Sequence, residues 1–204
     1  MTEQVKNRGG KLRRRMTEVK EVDSIAESRY VFGCQALMRE LRSDGVPPGL
    51  SIHVLSGGNV DLISYVRWLL KCYRHLDELT ICGWTISASN LVLVRQWREA
   101  GELGFVRIVI GDVYPARYKK EWEYLTGLRE SGVVDQIVIG HLHCKILLAR
   151  TGEACIVGEG SANCNCNPRV EQLVLTNDKG LYDFYEEFFV AGVLKNHLVG
   201  AKVL

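Results

Sequence analysis

The sequence predicts an α/β fold, a mixed, mostly parallel sheet flanked by helices on both faces. Three observations carry this reading. Strand-length runs rich in Val, Ile and Leu alternate with stretches whose apolar residues recur at helical spacing. Between Leu79 and Ile110 the order strand, helix, strand fits within about thirty residues, the length of a crossover between parallel strands. The 204 residues are 47% apolar and 25% charged, which suits one globular domain with a sizeable core.

Taken in order, residues 1–20 contain few apolar side chains and the pair Gly9-Gly10, and read as a flexible basic arm. Residues 21–49 read as an N-terminal helix and loop. Val22, Ile25, Ala26, Tyr30, Cys34, Leu37 and Leu41 keep a helical spacing, interrupted at Gly33, and the cluster Gly45-Val46-Pro47-Pro48-Gly49 sets this segment apart from the main sheet. The main domain is then residues 50–204. Leu50–Leu55 is a strand, and the turn Ser56-Gly57-Gly58-Asn59 leads into a helix with Asn59 near its cap. That helix carries Leu62, Ile63, Val66, Leu69, Leu70 and Tyr73 as one apolar stripe. The turn lacks the Lys of a P-loop and reads as structural.

Leu79–Gly83 is a strand, followed by a polar connection, a helix over residues 90–100 and a strand over Val106–Ile110. Thr85, Ser87 and Ser89 fall at a strand's carboxyl end, where open sheets bind ligands, although helix capping accounts for Ser87 or Ser89 more simply. Tyr118, Trp122, Leu125 and Leu128 mark another helix, Val133–Ile139 a strand, and Gly140 a break before a strand beginning at His141. Ala154–Gly158 and Glu171–Thr176 are further strands, and Leu181, Phe184, Tyr185 and Phe188 mark a last helix. No internal repeat of useful length appears.

A net charge of +2 does not by itself point to nucleic acid. Its distribution says more, because Lys6, Arg8, Lys11, Arg13, Arg14 and Arg15 lie together without an acid among them. Such a run tracks phosphates or an anionic surface, or is a solvated tail. Seven cysteines, an odd number in no regular framework, favour free thiols in a reducing compartment. With no secretory signal or membrane-length apolar stretch evident, the expectation is a cytoplasmic protein without stable membrane association.

The chemistry concentrates in His141-Leu142-His143-Cys144-Lys145-Ile146-Leu147-Leu148 and in Gly160-Ser161-Ala162-Asn163 with Glu171. On a strand, His141, His143 and Lys145 share one face while Leu142, Cys144, Ile146 and Leu148 share the other. A buried Lys beside two imidazoles disfavours their protonation and leaves a neutral, nucleophilic His. In this order His143-x-Lys145, Gly160-Ser161-x-Asn163 and Glu171 resemble the signature of the phospholipase D superfamily, H-x-K-x4-D followed by G-S-x-N and an acidic residue. Arg150 stands where that family usually has Asp, a change expected to alter local pairing more than the reaction. The unit from Leu79 to Ile110 also resembles the strand, polar loop, helix and strand that precede the family's catalytic motif.

The resemblance implies a nucleophilic His143 that forms a covalent phosphohistidine. It implies that Lys145 and Asn163 hold phosphoryl oxygens, that Ser161 orders the loop or contacts phosphate, and that Glu171 orients the imidazole. No metal or other cofactor is implied. A second H-x-K motif is missing from the chain, so the acid for the leaving oxygen is expected from the second His143 of a homodimer, with His141 as a less favoured local substitute. Zinc held among His141, His143, Cys144, Cys155, Cys164 and Cys166 is an alternative, although their spacing is not that of the common structural pairs. The leading substrate class is nucleic acid, DNA or RNA, cut by an endonuclease. A phospholipase or phosphatidyl transferase, or a nucleic-acid-binding module with a decayed site, are the alternatives.

Overall fold

A computed structural model of the chain describes residues 25–57, 59–165, 168–189 and 202–204, so the arm expected at 1–20 lies outside the described residues. Along the chain come β1 (Ile25–Phe32), α1 (Cys34–Glu40), β2 (Leu50–Gly57), α2 (Leu62–Tyr73), β3 (Leu76–Gly83), α3 (Ala88–Glu99) and β4 (Leu103–Gly111). They are followed by α4 (Tyr114–Arg117), α5 (Lys119–Glu130), β5 (Gln136–Gly140), β6 (Ile146–Thr151), β7 (Ala154–Gly160), β8 (Glu171–Asn177), α6 (Lys179–Glu187) and β9 (Lys202–Val203). The strands form one sheet in the order β1-β2-β8-β7-β6-β3-β4-β5-β9.

Alternation along the inner strands sorts side chains between two cores. In β4, Val106, Ile108 and Ile110 enter the larger core and Val109 the smaller one; in β6, Leu147 and Ala149 take the first side and Ile146 and Leu148 the second. The larger core is roofed by α2 through Leu62, Ile63, Val66 and Leu69, by α3 through Leu91 and Val94, and by α5 through Leu125 and Leu128. Each such side chain, fully buried, contributes about 1.5–3 kcal/mol. Tyr182 of α6 and Phe189 just beyond it cover the opposite face. The buried Arg107 ties that helix down, its guanidinium donating to Glu186 at 2.9 Å and to the Thr80 hydroxyl at 3.0 Å. Helices therefore flank a mixed sheet on both faces, as expected.

Three details differ from the sequence reading. Residues 25–32 are a strand and not part of a helix: Val31 points inward while Tyr30 and Phe32 point out, and β1 pairs in parallel with β2 from Ile25↔Leu50 to Phe32↔Gly57. The helical spacing is real only from Cys34, because Gly33 at φ 86° turns the chain between the two elements. The helix expected to begin near Asn59 is capped instead by Asp61. Asp61 accepts from the Ser64 amide at 2.9 Å, and the Ser64 hydroxyl accepts the Asp61 amide in return. Finally, β1–β2, β3–β4 and β4–β5 are parallel while the other five pairings among the described residues are antiparallel. Four of these five involve the run β6, β7, β8, whose strands neighbour one another in the sheet, and the fifth is β5–β9.

The buried Asp61 also accepts from Asn90 Nδ2 at 2.6 Å, joining the starts of α2 and α3. Asp61→Ala removes this link and the cap together, and urea denaturation is expected to show a loss of about 1–3 kcal/mol; a change below about 0.5 kcal/mol would contradict this role.

Candidate active site at the end of the sheet

Strand order decides where His143 stands. β5 and β6 are consecutive in the chain, yet β3 and β4 lie between them in the sheet. Residues 141–145 must therefore cross the carboxyl ends of both intervening strands and cannot themselves be a strand. This corrects the expected strand beginning at His141: β6 starts at Ile146, where it pairs with Cys82. Carboxyl ends of parallel strands are where open α/β sheets present their sites.

His141, at the start of this crossing, is turned outward with its side chain 86% exposed and its Nδ1 3.0 Å from Asp112 Oδ2. His143 is exposed and stands tilted against Trp84, ring centroids 5.7 Å apart. Lys145 closes the crossing and is buried. Its Nζ donates to the His143 carbonyl at 2.5 Å and lies 3.0 Å from His143 Nδ1. Burial lowers the Lys145 pKa, against the upward pull of the Cys144 and Cys82 thiols and the Glu171 carboxylate. An ammonium has only protons to give, so the imidazole nitrogen facing it must present a lone pair.

The second motif follows β7. Gly160 donates its amide to the Lys145 carbonyl at 3.2 Å, which sets this loop beside the crossing. A Cβ at Gly160 would lie 2.8 Å from Leu173 Cδ1 and meet the Gln172 carbonyl, so glycine permits the close approach of β8. Ser161 bridges the same two strands: its hydroxyl donates to Glu171 and accepts the Gln172 amide at 3.1 Å. Of the two roles expected for Ser161, ordering the loop is the one these bonds serve. Glu171 opens β8 opposite Ser56, with its carboxylate engaged by Ser161.

Asn163 turns its side-chain oxygen to the Trp84 amide at 3.3 Å, while its own carbonyl accepts the Leu62 amide at 3.1 Å. Around it the loop is stitched to the starts of α2 and α3. Cys164 O accepts the Ser87 amide at 3.0 Å and Asn90 Nδ2 at 2.8 Å, and Thr85 Oγ1 donates to Asn165 Oδ1 at 3.0 Å. Ser87 caps α3, as expected. The sequence reading missed Asp61, Asn90 and Trp84 as members of this framework. Trp84 had a readable signal, an aromatic at a strand's end; the space for its ring depends on Gly111, where a Cβ would lie 2.6 Å from Trp84 Cδ1.

Arg150 lies outside this constellation, five residues along β6 from Lys145 and so roughly 16 Å away. It stands opposite Glu78 and forms a cross-strand ion pair with it. Among the described residues no three His, Cys, Asp or Glu side chains gather as metal ligands; Cys166 of the zinc alternative lies outside them.

No family model and no curated protein matches the sequence. Among solved structures, a phosphatidylserine synthase from Haemophilus influenzae is similar over 76% of this chain and 39% of its own, with a TM-score of 0.51 at 14% identity. The fold is phospholipase D-like. A polyphosphate kinase from Porphyromonas gingivalis is similar over 62% of this chain and 23% of its own, at 17% identity and a TM-score of 0.46. TrmBL2, an archaeal chromatin protein, is similar over 78% of this chain and 57% of its own, at 14% identity and a TM-score of 0.46. The chain thus spans less than two-thirds of the length of each of these structures.

A buried ammonium is costly to the fold. Lys145→Met is expected to hold or raise the melting temperature, by about 2–4 °C for each kcal/mol of burial cost relieved. Scanning calorimetry checks this, and a marked fall in melting temperature would assign Lys145 a structural role.

Proposed function

We propose that this chain is a metal-independent phosphodiesterase, an endonuclease acting on DNA or RNA through a covalent phosphohistidine in a site shared across a homodimer. The observation that carries the reading is the Lys145 ammonium held against the His143 imidazole, on a segment crossing the sheet end beside the Gly160–Asn163 loop.

In this reading His143 attacks phosphorus, forming a P–N bond as the P–O bond to the leaving group breaks. Lys145 neutralises charge gathering on the phosphoryl oxygens. Asn163, whose carbonyl end already faces the Trp84 amide, offers its NH2 end to the same oxygens. The departing oxygen takes a proton from the second copy's imidazole, which then removes a proton from the water that cleaves the P–N bond. Glu171 acts on this site through Ser161 and through its charge on Lys145; the direct orientation of the imidazole expected of it remains part of the proposal. Nucleic acid as substrate is supported by the basic run between Lys6 and Arg15 and by the exposed Arg117, Lys119 and Lys120.

A phosphatidyl transferase is the second reading, and a specific observation favours it. Tyr30 (64% exposed), Phe32 (69%), Leu55 (53%) and Val170 (65%) make large apolar side chains available close to the site in register, Leu55 lying opposite Gln172, the neighbour of Glu171. That is the kind of apolar entry surface a lipid substrate requires. Among the described residues no helix is long and apolar enough to cross a membrane.

Incubation with single- and double-stranded DNA and RNA in excess chelator tests the proposal. Wild-type protein is expected to cut at least one of these, and His143→Ala to lose more than about 10³-fold in rate while staying folded. Cleavage retained by the purified variant would overturn the assignment. Turnover of phosphatidyl vesicles alone, with every nucleic acid intact, would replace it with the lipid reading.

A further inference from the structure

The crossing that carries His143 and Lys145 also carries Cys144, which the proposed reaction does not use. Cys144 is exposed, and its Sγ lies 3.4 Å from Sγ of Cys82, a buried residue at the end of β3 sixty-two positions away in sequence. We propose that Cys82 and Cys144 are a peroxide-oxidisable thiol pair, and that closing their disulfide displaces the segment that holds His143 and Lys145. This inference stands on the sulfur geometry and is independent of the substrate assignment.

The arrangement suits the two halves of such a reaction. The accessible thiol meets the oxidant: the Cys82 thiol donates to Cys144 and, with the Lys145 charge assisting, brings the Cys144 pKa down to about 7. Burial holds Cys82 protonated, with a pKa well above that of an ordinary thiol, so it is the second participant. The Cys144 thiolate attacks one oxygen of hydrogen peroxide, the O–O bond breaks, and hydroxide leaves and is protonated to water. Sulfur of Cys82 then displaces the hydroxyl of the Cys144 sulfenic acid. The S–S bond forms, and the Cys82 proton departs with that hydroxyl as a second water. Two thiols are oxidised and one peroxide is reduced to two waters.

Closing the bond requires the sulfurs to move from 3.4 Å to about 2.05 Å. Cys82 is fixed in β3, paired with β4 on one side and β6 on the other. Cys144 lies outside any strand, so whatever adjustment side-chain rotation does not absorb falls on the crossing, where its neighbours are His143 and Lys145. A misplacement of about 1 Å in a catalytic group costs about 10²-fold in rate. Reduction by a dithiol reverses the change.

The test is peptide mapping of wild-type protein after brief peroxide treatment, with hydrogen exchange followed over residues 141–148. The expected result is a linked pair of peptides containing Cys82 and Cys144, loss of two titratable thiols per chain, altered exchange in the crossing, and recovery of both on adding dithiothreitol. Cys144→Ser, at an exposed position, should abolish the link and leave Cys82 a free thiol. Unlinked Cys82 and Cys144 peptides, or Cys144 carried to its sulfinic acid without a link, would overturn the pairing; a linked pair with unchanged exchange would overturn its coupling to the site.

Discussion

Burying the amine of Lys145 is the constraint around which the site is built. Removing an ammonium from water is tolerated only where acceptors meet it, and here a carbonyl and an imidazole nitrogen, both from His143, do so. The contact acts in both directions. It satisfies the ammonium, and it holds an exposed imidazole beside a concentrated positive charge. An ammonium at this depth has no evident packing advantage over a hydrocarbon of the same length, which is why its presence argues for chemistry.

The sheet supplies the geometry for that contact. Because β5 and β6 are separated by two strands, the connection between them runs over the sheet's end, and His143 is carried across the ends of β3 and β4. The loop after β7 is brought alongside by the Gly160 amide and held from beneath by a network of Asp61, Asn90, Thr85 and Cys164. Two helix starts are thereby locked to the loop bearing Asn163. The arrangement is rigid below, where buried polar groups are paired, and open above, where His143 is exposed beside a half-buried Trp84. Rigidity of this kind is what positioning a phosphoryl group demands.

Much of the fold was legible because period alone decides it. The stripe of α2 and the alternation of β4 bury one face or both, and no competing pattern fits those residues. Residues 25–32 were ambiguous because Ile25, Ala26 and Tyr30 satisfy a helical spacing while Tyr30, Val31 and Phe32 satisfy a strand's; pairing with β2, a nonlocal contact, decides between them. The nearness of the Gly160–Asn163 loop to Lys145 follows the order of the motif in the sequence. The setting of the motif was not legible, since the crossing at 141–145 depends on which strands are neighbours, and the Glu78–Arg150 pair joins residues seventy-two positions apart. Asp61 and Asn90 read locally as ordinary helix-start residues, and nothing in their own neighbourhoods reports that they meet.

The central claim is that His143, held against Lys145, is a nucleophile, and trapping the intermediate tests it most directly. Wild-type protein quenched during turnover of a phosphodiester substrate, digested under alkaline conditions and analysed by mass spectrometry should yield an acid-labile phosphoryl adduct on the peptide containing His143. That adduct should be absent from Lys145→Met. Turnover by wild-type protein with no adduct at His143, or an adduct on another residue, would contradict the account.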